Sequence, residues 1–195
     1  MKISSAQVTA GILAGGEGRR LGGADKGWYE VAGRPLIEHT LARVRPQAGG
    51  IVISANRSLS RYRSLGYTVH GDDTDEYRGP LAGIASMLEV AVTPYVLIVP
   101  VDTPMLPLDL VARLADAMKP NIDLAVARTP DSLHPLHALM RRSLLGDVRA
   151  ALFFGRRRVT EWQQQTARVP VDWPDGEDFV NINRAQDAEA LVDRL

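Results

Sequence analysis

"ILAGGEGRRLGGADKG", residues 12–27, is the stretch on which the reading of this chain turns. Ile12, Leu13 and Ala14 close a run from Val8 to Ala14 that reads as a buried strand, and Gly15, Gly16 and Gly18 follow at once, with Arg19, Arg20 and Lys26 nearby. Glycines leaving a strand let backbone N–H groups approach a polyphosphate without Cβ obstruction, and the cationic side chains offset its charge. Two common phosphate-binding patterns fail here. A dinucleotide fingerprint begun at Gly16 needs glycine where Leu21 stands, and a P-loop begun at Gly18 needs Lys-Ser/Thr where Ala24 and Asp25 stand.

Outward from this loop, Val- and Ile-rich runs recur at Ile51 to Ala55, Tyr95 to Val101, Ile122 to Ala127 and Leu136 to Met140, and read as strands. Helix-period segments lie between them at Pro35 to Val44, Leu81 to Val92 and Pro107 to Met118, with Pro35 and Pro107 expected in first helical turns. The alternation predicts βαβ units, a mostly parallel sheet covered on both faces, and a ligand at the carboxyl ends of the strands. Beyond Leu136 the rhythm loosens into helical "RRSLLGDVRAALFFG", a second helix near "RRRVTEWQQQ", extended "ARVPVDW", and "FVNINRAQDAEALVDRL" as a loop into a final helix. This last third is expected to complete one sheet edge and cover the site.

The 195 residues, 45% apolar and 24% charged, suit one domain over 1–195 rather than two. Lys plus Arg and Asp plus Glu both count 23, so no global field attracts nucleic acid or an anionic membrane, and any anion specificity is local. The absence of cysteine excludes disulfides, thiolate metal sites and cysteine nucleophiles. With no leader-like or membrane-length apolar run, the expected location is the cytoplasm.

"LAGGEGRRLGGADKG" resembles the signature of the molybdenum cofactor guanylyltransferases, within the wider nucleotidyltransferases, departing from it at Leu21 where the family carries methionine. The likeness continues in order through "ISANR", "GPLAGI", "VPVDTPMLP", "HPLHAL" and "FVNIN". It implies an α/β, three-layer Rossmann-like (GT-A-like) nucleotidyltransferase fold, with a nucleotide-binding part at 1–106 and a pterin-substrate part at 107–195. The implied reaction is GMP transfer from GTP to the terminal phosphate of molybdenum-molybdopterin, with release of pyrophosphate. It needs positioning, charge neutralisation and Mg2+ rather than a covalent enzyme intermediate. Transient contacts with cofactor-synthesis and acceptor proteins are implied as well.

Asp102, just beyond "YVLIVPV", matches the family's metal-binding aspartate; by itself, Asp-x-Pro would equally suit a turn cap. Lys26 and Arg20 match the phosphate-facing lysine and arginine, and Leu13, Ala14, Gly15 and Gly16 the backbone cradle. Asn56 and Asp72 match nucleotide contacts, with Asp73 an alternative to Asp72 because the loop length is open. Asn181 and Asn183 alternate in an extended segment and so face one side, toward the pterin or nucleotide, or else tie down the final helix. His134 is placed in the substrate loop, although Leu133 stands where relatives often carry aspartate. Arg157 and Arg158 suit an anionic pterin phosphate or a solvated helix start. A cytidylyltransferase for the same cofactor, a sugar-phosphate nucleotidyltransferase and a non-catalytic nucleotide-binding protein are the alternatives.

Overall fold

A computed structural model of the protein describes residues 2–15, 25–71 and 79–194. Strands β1 (Val8–Leu13), β4 (Gly50–Ser54), β5 (Thr68–His70), β6 (Tyr95–Pro100), β7 (Leu124–Arg128), β8 (Leu133–Arg141) and β9 (Arg168–Asp172) form one sheet in the order β5-β4-β1-β6-β8-β7-β9. Strands β2 (Glu30–Val31) and β3 (Arg34–Pro35) form a separate hairpin. All neighbouring pairs in the large sheet are parallel except the two that involve β8. The sheet is therefore mostly parallel, as the alternation of strands and helices predicts.

Period-two alternation sends each strand's side chains to two different cores. Val8, Ala10 and Ile12 of β1, Leu97 and Val99 of β6 and Leu139 of β8 face α1 (Leu36–Val44), α2 (Leu59–Arg63) and α4 (Leu110–Ala117). Val96 and Ile98, Leu124 and Val126, and Ala138 and Met140 face α3 (Pro80–Val90), α5 (Leu145–Phe153) and α6 (Val159–Gln163). A third, smaller cluster joins Val31, Leu36, Met105 and Ile182 to Ala188 of α7 (Ala185–Glu189). The result is three layers, helix on sheet on helix. Truncating a fully buried residue at their centre, such as Leu97→Ala, would cost about 2–5 kcal/mol.

Close approach of helix to sheet requires two glycines. A Cβ on Gly11 of β1 would collide with the sulfur of Met87 on α3, and one on Gly83 of α3 would collide with Leu13. These contacts press α3 against the ends of β1 and β4.

Several boundaries differ from expectation. Pro35 lies before α1, as its N-cap and within β3, and α4 starts at Leu110 because Pro107 begins a turn in which its carbonyl accepts from Leu110 N–H at 3.3 Å. Strand β8 is longer than Leu136 to Met140 and absorbs "LHP". The short elements α2, β5 and the β2–β3 hairpin have too few apolar positions to show a period. Among the described residues, no helix is long and apolar enough to cross a membrane.

Candidate active site

The chain passes from β1 through β4 and β5 on one side, then returns to β6 on the other, so the topological switch lies between β1 and β6. Their carboxyl ends are in register, Leu13 opposite Pro100, and Val101 N–H donates to Leu13 O at 3.0 Å. Ala14 N–H donates to Ser54 O at 2.7 Å, which ties the exit of β1 to that of β4 as well. Gly15 and Asp102 therefore emerge side by side at the crevice where open α/β sheets bind ligands. A Cβ on Gly15 would stand 3.3 Å from Asn56 Nδ2, so the second residue after β4 closes directly on the glycine.

Lys26 crosses this crevice. Its Nζ donates to Asp102 Oδ2 at 2.5 Å and to Asn183 Oδ1 at 2.7 Å. Both members of the ion pair are largely shielded, with side-chain exposures of 12% for Lys26 and 17% for Asp102. The other carboxylate oxygen, Asp102 Oδ1, is buried and has no hydrogen-bond partner among the described residues. A buried, unpartnered anionic oxygen is costly unless something cationic or donating satisfies it.

The lysine's backbone is set from below. Asp25 caps the single helical turn Lys26–Trp28, its Oδ1 accepting from Gly27 N–H at 3.2 Å and from Tyr62 Oη at 2.6 Å. Tyr62, on α2, is fully buried, and burial together with the Asp25 carboxylate pushes its phenol well above the usual range. Gly27 leaves no room for a Cβ against the tyrosine hydroxyl. Trp28 packs on Tyr62 at 5.1 Å, and the Arg61 guanidinium lies 3.8 Å over the indole.

The segment after Phe179 closes the other wall. Ile182 N–H donates to Asp102 O at 2.8 Å while the Ile182 side chain is buried. On either side of it, Asn181 Oδ1 accepts from Thr103 Oγ1 at 2.8 Å and Asn183 Oδ1 accepts from Lys26. The alternation in "FVNIN" thus brings both asparagines to the Asp102 loop without forming a strand. Asp187 in turn fixes Asn183, accepting from the N–H groups of Asn183 and Arg184 at 2.8 Å each, and these bonds hold its carboxyl below the usual range.

Of the residues singled out in the sequence, Leu13, Ala14, Gly15, Lys26, Asn56, Asp102, Asn181 and Asn183 gather at this one place. Arg20, Gly16, Asp72 and Asp73 lie outside the described residues. His134 stands beyond the carboxyl end of β6, stacked on Phe179 at 4.6 Å, its Nε2 3.1 Å from Thr129 Oγ1; burial lowers its pKa. Arg157 and Arg158 are exposed at the entry to α6, and Arg158 pairs with Glu161 at 3.1 Å. Sequence reasoning missed Asp25, Tyr62, Thr103, His137 and Asp187. For Asp187 the spacing gave no signal, because the residue three before it, the N-cap, is Arg184 rather than a serine, threonine, aspartate or asparagine.

Residues 10–169 match the family model of the MobA-like NTP transferase domain. The chain is 41% identical to a molybdenum cofactor guanylyltransferase of Acidovorax sp. (strain JS42), over 97% of each chain. It is also 41% identical to one of Cupriavidus necator, over 93% of this chain and 94% of that one. Among solved structures, molybdopterin-guanine dinucleotide biosynthesis protein A from Archaeoglobus fulgidus has the same fold, with a TM-score of 0.76 at 21% identity over 95% of this chain and 97% of that one. So does 2-C-methyl-D-erythritol 4-phosphate cytidylyltransferase from Thermus thermophilus, at TM-score 0.69 and 19% identity over 100% of this chain and 98% of that one. With the crevice between β1 and β6 and the lysine–aspartate pair across it, these matches establish that the chain belongs to the family of MobA-like NTP transferase domains, alongside the molybdenum cofactor guanylyltransferases.

Proposed function

We propose that the chain transfers GMP from GTP to the terminal phosphate of molybdenum-molybdopterin, forming the molybdopterin guanine dinucleotide cofactor and releasing pyrophosphate. The likeness to curated guanylyltransferases over almost the whole chain supports the substrates. The observation that carries the chemistry is the Asp102 carboxylate at the switch point, one oxygen on Lys26 and the other buried and, among the described residues, unpartnered.

That bare oxygen fits Mg2+, a hard cation that takes one or two carboxylates and completes its shell with phosphate oxygens and water. Among the described residues no cluster of three or more candidate ligands exists, which suits a metal shared with a polyphosphate rather than caged by protein. When bound, the ion supplies charge neutralisation for the triphosphate and the departing pyrophosphate. The chain's own residues do the rest. Leu13, Ala14, Gly15 and Gly16 offer main-chain donors to the phosphates, and Asn56 and Asp72 hold the nucleoside. Lys26 moves its ammonium from Asp102 and Asn183 toward the phosphates, and Arg20 pairs with the leaving pyrophosphate.

His134, Arg157, Arg158, Asn181 and Asn183 serve the pterin side. The division into a nucleotide part (1–106) and a pterin part (107–195) is bridged where Asn183 reaches back to Lys26, Asn181 to Thr103 and Ile182 to Asp102. Cofactor-synthesis and acceptor proteins are the transient partners of this reading, and the cysteine-free composition suits the reducing cytoplasm.

The test is nucleotide choice and metal dependence. Mass detection of product with GTP, CTP and UTP should show the guanine dinucleotide alone, and a preference for CTP would overturn the guanylyl assignment. Asp102→Asn should keep the fold and lower turnover on the order of a hundredfold or more. Undiminished turnover in that variant would take Asp102 out of the mechanism.

A further inference from the structure

Beneath the proposed site lies a buried polar side chain that this chemistry does not use. His137 on β8 is 3% exposed and is followed by fully buried Ala138, Leu139 and Met140. Its Nε2 is 3.2 Å from Thr103 Oγ1, and that hydroxyl donates to Asn181 Oδ1 at 2.8 Å. A threonine hydroxyl has one hydrogen, so once it serves Asn181 the oxygen can only accept from the ring. The network therefore assigns the His137 proton to Nε2.

Nδ1 is then a bare lone pair, buried and without a hydrogen-bond partner among the described residues. Stability alone does not favour this arrangement. The ring meets Phe179 edge-on at 5.2 Å and His134 at 5.6 Å, contacts a phenylalanine would make equally well without an unsatisfied nitrogen. A buried polar group kept against its own desolvation cost marks a position held for something other than packing.

What Nε2–H holds is the junction of two chain segments. Thr103 follows Asp102 directly, Asn181 lies two residues before Asn183, and between them Ile182 N–H donates to Asp102 O at 2.8 Å. The same two segments present Asp102 and Asn183 to Lys26. We propose that His137 is a positioning residue: acting through the Thr103 hydroxyl and Asn181, it locks the Asp102 loop against the 181–183 segment so that Asp102 and Lys26 converge on the triphosphate. This rests on the reading that Asp102 and Lys26 serve the nucleotide.

The experiment compares wild type, Asp102→Asn, His137→Phe, His137→Gln and Thr103→Val. Melting temperature, kcat and KM for GTP, and Mn2+ binding in the presence of GTP followed by electron paramagnetic resonance are measured on each. His137→Phe should melt no lower than wild type, yet lose about 10–100-fold in kcat and bind manganese more weakly, with KM for GTP within about twofold. Thr103→Val, which keeps shape and loses the hydroxyl, should behave alike. His137→Gln, whose amide can supply an N–H in place of Nε2–H, should recover most of the lost kcat.

Wild-type kcat in folded Thr103→Val overturns the proposal even if His137→Phe fails to fold. Equal losses in His137→Phe and His137→Gln, tracking a shared fall in melting temperature, also overturn it, because they mark a packing role. A wild type that transfers no GMP, or an Asp102→Asn variant as active as wild type, removes the functional reading and this inference together.

Discussion

Lys26 makes two bonds that a bound nucleotide would compete with, one to a carboxylate and one to an amide oxygen. Replacing it by alanine removes a point charge from the phosphate path and leaves Asp102 uncompensated. GTP affinity should fall about tenfold at low salt and less at about 0.5 M, because added ions screen the lost attraction. Titration calorimetry giving equal affinities at both salt concentrations would contradict this. Tyr62 offers a separate test of the lysine's foundation. Tyr62→Phe deletes the hydroxyl that donates to Asp25 at 2.6 Å and should cost about 1.5–3 kcal/mol in urea unfolding, the range for a hydrogen bond to a charged group. Lys26 and Asp102 were legible in the sequence because each stands beside a strong local signal, the glycine loop for one and the end of an apolar strand for the other. Tyr62, Thr103 and His137 were not. Each acts through a hydrogen bond to a residue far away in the chain, and no spacing in one sequence encodes that.

Among the elements, those with long apolar periods were readable and those without were not. Strands β1, β4 and β6 announce themselves because both faces are buried, and they fix the crevice. The hairpin β2–β3 was missed because its two-residue strands carry no period and its turn uses Ala32 and Gly33, both at positive φ (50° and 74°). Glycine adopts this conformation freely, whereas alanine is strained there. Ala32→Asn should therefore stabilise the protein by up to about 1 kcal/mol, raising the melting temperature by about 2–4 °C and leaving turnover unchanged. A lowered melting temperature would show that the turn is not limiting. The edge strand β9 was readable as extended sequence, but not its pairing with β7, since register with a distant strand is a property of the assembled sheet.

For the whole molecule, buried His137 and half-buried His134 weaken the fold in acid. Burial lowers the pKa of His134, and for His137 burial, with a smaller contribution from neighbouring His134, lowers it from 6.5 to about 3. Between those values the unfolded chain binds a proton that the folded chain refuses, so stability rises with pH and falls on acidification below about 6.5. From His137 alone the loss should reach about 2 kcal/mol by pH 5. Urea unfolding of wild type and His137→Phe at pH 7 and pH 5 checks this, with the variant losing less. Equal losses in the two would exclude His137 as the source. The compactness that buries these rings depends on the chain's last segment returning over the Asp102 loop. The pattern of "FVNIN" showed which side chains share a direction, and only the folded chain shows what they face.

The reversed strand β8 has a consequence of its own. Because it runs against its neighbours, it brings its first residues, not its last, to the rim shared with the ends of β1, β4 and β6. Its leading residues and the short connection from β7 can thus be rewritten without altering the turns that follow the parallel strands.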